Sequence, residues 1–474
     1  MDELKVYERS RIEAEAVEYF LARGSLGKVL CVRGQAVGFH GERQGDLLVC
    51  PLTAANAVVL RVRLPWLRPQ PLGLQLSAGC GDRLGPATPG HLRAVAAHNR
   101  RNAAIAPILA QQSMRENART GRSPRQVMDD AMWGVFQEGW REPWGADADH
   151  LKTTADIDLC VAVGYTFYTV DPGDHVVDEG NWEIGDWGLG ALSLPWEELG
   201  DSPDGLRERY LGRRFEIEEF VFEFDEASLT RAAAKYGRAL AHTARMYYHL
   251  AAALPPGAFE LEVSVDETEA PTSPLEHVYI ALELRRLGVQ WVSLAPRYVG
   301  RFEKGSDYIG DLKQFDAELA QHAAIARVLG PYKLSIHSGS DKFSVYPLFS
   351  RHAGQLVHLK TAGTSYLEAL RAIARVDPGF FREILSLARE RYDEDRATYH
   401  VSAEVGRVPR PEDVPDEDLP GLLDQFDARE VLHVTFGSVL DHYRQQLMEM
   451  LAAHEEEHYA ALEAHFKRHL ASFG

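Results

Sequence analysis

The sequence predicts an α/β fold organised as a (β/α)8 TIM-type barrel, and three observations carry that reading. From about residue 65 onward, short strand-like runs alternate with helical stretches, the rhythm that a barrel of parallel strands requires. In several of those runs apolar and polar residues alternate with a period of two. The polar positions of different runs carry the same few residue types, His, Lys, Asp and Glu, as though they faced one common axis. Around the barrel the chain divides into an N-terminal β-rich segment (1–65), the barrel itself (66–410, with a rim insertion at 174–230) and a C-terminal helical extension (411–474).

Composition sets the outer limits. The chain has 474 residues, 45% hydrophobic and 26% charged, which is enough for a large core or two to three domains. A formal charge of −19 opposes binding to nucleic acid, which depends on Lys and Arg to neutralise phosphates. No run reaches the roughly 18 apolar residues of a membrane helix. Met1 to Arg11 lacks a signal-peptide core, so a cytoplasmic enzyme with no membrane partner is expected. The four cysteines, Cys31, Cys50, Cys80 and Cys160, are scattered without a C-x-x-C pair and read as reduced core residues.

The N-terminal segment offers short apolar runs at 28–32, 36–39, 46–50 and 58–62, separated by turn residues. Eight barrel strands are expected at 72–77, 146–151, 165–171, 259–266, 290–295, 333–337, 356–360 and 399–403. Ser123-Pro124 opens one helix as cap and first residue; Thr364-Ser365 with Glu368 reads as a capping box for another. The insertion falls between the third and fourth expected strands, and inserts there commonly form a lid or an oligomer contact. Near the end, residues 438–469 suggest one long helix. His454 and His458 match the H-E-x-x-H pattern, but they share an apolar stripe with Leu447, Leu451, Leu462 and Phe466, so they read as packed side chains.

Phe259 to Thr268 is the most informative stretch. Leu261, Val263 and Val265 form its apolar side, and Glu260, Glu262, Ser264 and Asp266 its polar side. Three carboxylates on one strand face are costly to bury unless a metal, cations or water answer them. By the same alternation His150 and Lys152, Asp171, Lys333 and His337, and His358 and Lys360 point inward. A structural ion-pair network is the bland account of such a set; convergence from five strands favours an active site. His150, Glu262 and His337 are the expected metal ligands, a nitrogen and oxygen set suited to a divalent ion, Zn first, with Mn, Co, Ni or Fe also compatible. Asp171, Asp266, Lys152 and Lys360 are the expected proton-transfer residues. Glu267 stands in for Glu262 if the strand ends early. Loop residues Asp82, Arg83, Arg297, Ser338, Ser340 and Lys342 offer hydroxyls and charges suited to a polyhydroxylated anion, for which Arg is well shaped. No dinucleotide or P-loop fingerprint occurs. A Schiff-base aldolase using Lys152, Lys333 or Lys360 and a non-catalytic sugar-acid-binding barrel are the rival readings.

Several longer blocks carry a resemblance. They are Gly81 to Gly85, Ala110 to Ser113 with Arg119 to Arg122, Trp133 to Glu138 and Gly145 to His150. Glu262 to Glu269 with Pro271 to Pro274, His337 to Ser344, Lys360 to Glu368 and His433 to Ser438 complete the set. Through these the sequence resembles the tagaturonate epimerase family of hexuronate catabolism over about residues 70 to 470. The resemblance implies a metal-dependent interconversion of D-tagaturonate and D-fructuronate, with weak action on uncharged fructose and tagatose. A small-molecule hexuronate is then the partner, and a homo-oligomer is compatible. The inverted carbon is not next to the ketone, so simple enolisation cannot epimerise it. Retro-aldol cleavage and re-addition is the preferred route; transient oxidation or direct proton exchange are the others.

Overall fold

A computed structural model describes residues 4–25, 27–177, 189–337, 341–361, 363–399 and 401–473. Eight parallel strands close into a barrel: β1 (Ser77–Gly79), β2 (Ala106–Ser113), β3 (Gly145–Leu151), β4 (Phe167–Val170), β5 (Glu260–Ser264), β6 (Ser293–Ala295), β7 (Lys333–Ile336) and β8 (Val357–Lys360). Each pairs with its neighbours in sequence, and β8 returns to β1 through His358 opposite Ser77. The outward alternates, among them Tyr168, Val170, Leu261, Val263, Leu334, Ile336, Val357 and Leu359, are buried against the surrounding helices. The period-two pattern thus placed the apolar side of β4, β5, β7 and β8 correctly.

Three strand assignments change. The first strand, expected at 72–77, forms at Ser77–Gly79 and shares only Ser77 with that run. Ala106–Ser113 forms β2, whereas residues 399–403 form no strand among the described residues. In β2 the run Ala-Pro-Ile-Leu-Ala-Gln-Gln-Ser carries no charge on its inner face, so period-two polarity is muted there. The insertion therefore lies between the fourth and fifth strands. Its hairpin (Arg214–Ile217 with Phe220–Glu223) packs against the helices Pro274–Arg286 and Leu312–Val328, on the outside of the barrel.

At the N-terminus six strands form a largely antiparallel sheet from Lys5 to Pro51. Residues 36–39 are not a strand, and 58–62 lie in the helix Ala54–Arg63. Thr53 caps that helix by accepting from the Asn56 N–H, and Asn56, Ala57, Leu60 and Arg61 are its buried face. Capping and burial there outweigh the strand preference of the valines. Ser123 closes a capping box with Gln126, as its sequence suggests. The helix Thr364–Val376, by contrast, starts on Gly363 at φ 88° with no side-chain cap. Ser365 is engaged elsewhere, donating to the Gly81 carbonyl, and Glu368 binds Arg371. The expected C-terminal helix is two, Phe436–Ala453 and Glu455–Leu470, parted at His454. All four cysteines are free and buried. No described helix is long and apolar enough to cross a membrane.

Candidate active site at the mouth of the barrel

Inside the barrel the polar faces stack in layers. The lower layer holds Ser77, Lys333 and His358: Lys333 Nζ donates to Ser77 Oγ at 3.0 Å, and His358 Nδ1 lies 2.9 Å from the same oxygen. Burial lowers the pKa of His358 to about 3, so it is neutral. This layer closes the bottom of the barrel and lines no described cavity.

One layer higher, Lys360 at the end of β8 is the hub. Its Nζ lies 2.5 Å from Asp149 Oδ1, 2.9 Å from Asp147 Oδ2 and 3.0 Å from Glu262 Oε1, and it donates to Thr169 Oγ1 at 2.8 Å. Burial disfavours the ammonium, but the three carboxylates outweigh it and raise its pKa well above the ordinary lysine value. In return Lys360 holds Asp149 below the usual carboxylate range against the opposing effect of burial.

Glu262 ties this layer to the next. Oε2 accepts from Ser293 Oγ at 2.6 Å, and Oε1 lies 2.6 Å from His337 Nε2. His337 reaches Asp266 Oδ1 through Nδ1 at 3.0 Å. The rings of His337 and His150 stand edge to face, with centroids 5.1 Å apart. Ligand atoms of His150, Asp266 and His337 all lie within 4.8 Å of one another, as do those of His150, Asp171 and Glu267.

His150 owes its place to a local irregularity. Its φ is +51°, a left-handed conformation costly for a non-glycine residue, and the register of β3 against β4 shifts between Tyr168 and Val170. Asp149 and His150 therefore both face the cavity, as a β-bulge allows. Burial opposes protonation of His150, but Asp149, the hydrogen bond to Asp171 and Glu267 outweigh it and raise the pKa to about 10.

The cavity is lined by Gln111, Asp149, His150, His337 and Lys360, with Arg83, Arg115, Glu116, Lys304 and Tyr399 above them. Arg115, Lys304, His337 and Tyr399 also border an outer cleft of about 500 Å³ walled by Asp266, Glu267 and Arg297. Lys304 has no ion pair among the described residues. None of the described residues of the 174–230 insertion lines either space.

A polar barrel mouth alone does not separate the sugar-acid enzymes from one another; relatives do. The family profile for tagaturonate epimerase matches residues 7–473. A Thermotoga maritima protein named tagaturonate/fructuronate epimerase is 44% identical across 98% of this chain and 96% of its own length. The glycerol-complexed crystal structure of the fructuronate-tagaturonate epimerase UxaE from Cohnella laeviribosi superposes with a TM-score of 0.92. It is 38% identical and covers 99% of this chain and 96% of that one. The native crystal structure of the same protein gives 0.91 at 38% identity, covering 100% and 97%.

The chain belongs to the tagaturonate epimerase family. It is an enzyme of the isomerase class, an epimerase on an α/β barrel.

Set on this epimerase, the residues expected from the sequence divide sharply. His150, Glu262, His337, Asp266 and Lys360 come together as described. Asp171 stands behind His150, with Oδ2 3.2 Å from its Nδ1 and Oδ1 accepting from the Gly173 N–H. Lys152 does not join them: after the bulge at His150 the alternation is out of step, and Lys152 turns to the surface and pairs with Asp174 at 2.7 Å. Asp82 caps its own loop, accepting from the N–H groups of Leu84, Gly85 and Ala87. Arg83 borders the cavity but is bound to Glu116 at 2.6 Å and to the His433 carbonyl. Arg297 borders the outer cleft while donating to the carbonyls of Tyr298 and Gly300. Lys342 is buried on the carbonyls of Glu303 and Ser306 and lines neither space. Ser338 and Ser340 lie outside the described residues. Asp147, Asp149, Lys304 and Arg115 were not singled out by the sequence. For the two aspartates the signal was present, since Ala146-Asp-Ala-Asp149 alternates as cleanly as β5 does.

Proposed function

We propose that this epimerase interconverts D-tagaturonate and D-fructuronate with a divalent cation, by breaking and re-forming a carbon–carbon bond. The observation that carries the reading is the convergence of His150, Asp266 and His337 at the mouth of a barrel whose family acts as tagaturonate epimerases. Two imidazoles and a carboxylate suit Zn²⁺ and its neighbours and leave open positions for a substrate. A bound cation would supply Lewis acidity at the ketone oxygen. Glu262 fits the role of orienting His337, because both of its oxygens are already engaged.

The chain's own groups do the rest. Lys304, half-buried and unpaired among the described residues, is placed to receive the sugar carboxylate, with Arg115 beside it. Asp149 faces the cavity and takes the proton of the hydroxyl on the carbon that inverts. The Lys360 ammonium beside it steadies the alkoxide as the bond to the neighbouring carbon breaks. Rotation of the released aldehyde presents its other face. Glu267, close to His150 and ion-paired with Arg115 at 3.0 Å on the outer cleft, serves the hydroxyl of the second epimer.

The test is turnover of D-tagaturonate in D₂O, with and without prior chelation. Bond cleavage and re-addition leaves no solvent deuterium at the inverted carbon and no primary isotope effect when that carbon bears deuterium. Deuterium uptake would establish proton exchange instead, a primary isotope effect would indicate hydride transfer, and full activity after chelation would remove the cation.

A further inference from the structure

A second cluster of metal-type donors lies apart from the barrel mouth. His465 and His469 are one turn apart on the helix Glu455–Leu470, so both rings leave the same face. Asp341 comes from the loop after β7, four residues beyond His337, with φ +63°. Asp341 Oδ1 lies 2.9 Å from His465 Nε2 and 3.6 Å from His469 Nε2, and the two Nε2 atoms lie 3.0 Å apart. A point equidistant from these three atoms is roughly 1.9 Å from each, close to the ~2.0–2.2 Å of Zn–N and Zn–O bonds. All three residues are buried, His469 completely.

Two details favour a cation over a plain hydrogen-bond relay. Asp341 Oδ1 has no partner of hydrogen-bonding geometry despite its 2.9 Å approach to His465, so its lone pairs are directed elsewhere. The far side of every donor is held as metal ligands usually are. His465 Nδ1 lies 3.3 Å from Glu368 Oε1, His469 Nδ1 lies 2.8 Å from Tyr346 Oη, and Asp341 Oδ2 accepts from Arg429 at 2.5 Å.

We propose that Asp341, His465 and His469 form a second, structural site for Zn²⁺ or a similar borderline cation, completed by an exogenous ligand, that fastens the C-terminal helix to the loop following His337. It would cross-link two segments more than a hundred residues apart, and binding to the folded state alone would add directly to stability.

The proposal does not depend on the barrel cation, and the test separates them. Crystals of the wild-type protein grown with Zn²⁺ should show an anomalous peak at the zinc edge between Asp341, His465 and His469. In solution the wild type should retain two equivalents per chain. His337→Gln should keep one, and a His465→Gln/His469→Gln double variant should also keep one. Chelation should lower the Tm of His337→Gln, whose one cation is this one, and should lower the Tm of the wild type by more than that of the double variant, which has only the barrel cation to lose. Absence of the anomalous peak overturns the proposal, whether or not the histidine variants fold. So does a folded His337→Gln protein that binds no metal, an outcome that leaves the barrel site standing. A single wild-type equivalent that survives in His337→Gln would instead support this site and sink the barrel one.

Discussion

His337 Nε2 lies 2.6 Å from Glu262 Oε1, and the same oxygen lies 3.0 Å from Lys360 Nζ. Glu262 is thereby shared between the imidazole and the ammonium, with Ser293 on its other oxygen. A carboxylate so engaged is poorly free to bind a cation, whereas Asp266 stands nearer the open cleft. We therefore expect Glu262→Gln to retain bound metal and to lose roughly 10–100-fold in turnover through a misoriented His337. Asp266→Asn and His337→Ala should lose the barrel cation, one equivalent per chain, and activity with it. Metal content per chain beside kcat checks this. Equal metal loss in Glu262→Gln and Asp266→Asn would put Glu262 among the ligands.

Lys304 borders both the inner cavity and the outer cleft without an ion pair among the described residues. If it receives the sugar carboxylate, Lys304→Met removes a charged hydrogen bond of about 1.5–3 kcal/mol. The expected result is a rise of about 10–100-fold in KM for tagaturonate with kcat changed far less. Any turnover of tagatose, which lacks the carboxylate, should be almost unaffected. A parallel loss on both sugars would assign Lys304 to the reaction rather than to recognition.

How much of this was legible beforehand depends on how local each feature is. The inner faces of β5, β7 and β8 followed from alternation alone, because Leu261, Val263, Leu334, Ile336, Val357 and Leu359 fix the outward side. β3 was half legible. Counting back from Leu151 put His150 and Lys152 inside, whereas the φ of +51° at His150 breaks the count and brings in Asp149 instead. Nothing in the residue types announces that bulge. β2 was missed because the residues it turns to the cavity, Gln111 and Ser113, are uncharged. Lys304 and Tyr399 come from loops and Arg115 from the first turn of the helix Met114–Thr120, and they meet only when the barrel closes. The Gly81 to Gly85 and His337 to Ser344 blocks identified the family, yet Asp82, Arg83 and Lys342 within them support loops and elements around the cavity.

Lys360 carries a prediction about chemistry and another about stability. A Schiff base needs the neutral amine. Asp147, Asp149 and Glu262 outweigh burial and hold its pKa well above the ordinary lysine value, which keeps Lys360 an ammonium. Borohydride with tagaturonate should therefore trap no lysine adduct. Lys333, lowered to about 8 chiefly by burial, sits in the lower layer, away from the cavity. Lys360→Met should leave buried carboxylates unneutralised at a cost of about 3–5 kcal/mol. Its denaturant midpoint should fall accordingly. A midpoint unchanged from wild type would mean that the carboxylates take up protons at little cost.

Glu430 links stability to pH. It lies beside Glu303, whose Oε2 accepts from the Ser402 N–H and hydroxyl, while Ala403 N donates to Glu430 at 3.0 Å. Burial first, then the charge and hydrogen bond of Glu303, raise the Glu430 pKa from 4.5 to about 8. Between these values the folded chain holds a proton that the unfolded chain releases. Stability then falls as pH rises from about 4.5 toward 8, by up to about 1.4 kcal/mol per unit for one proton, and levels off above 8. Glu430→Gln mimics the protonated form, so it should match the wild type below about pH 4.5 and exceed it by a growing margin up to about pH 8. Tm measured from pH 5 to 9 on both proteins checks the sign. A wild-type advantage at pH 8 would show that Glu430 is ionised in the fold and stabilised by its neighbours.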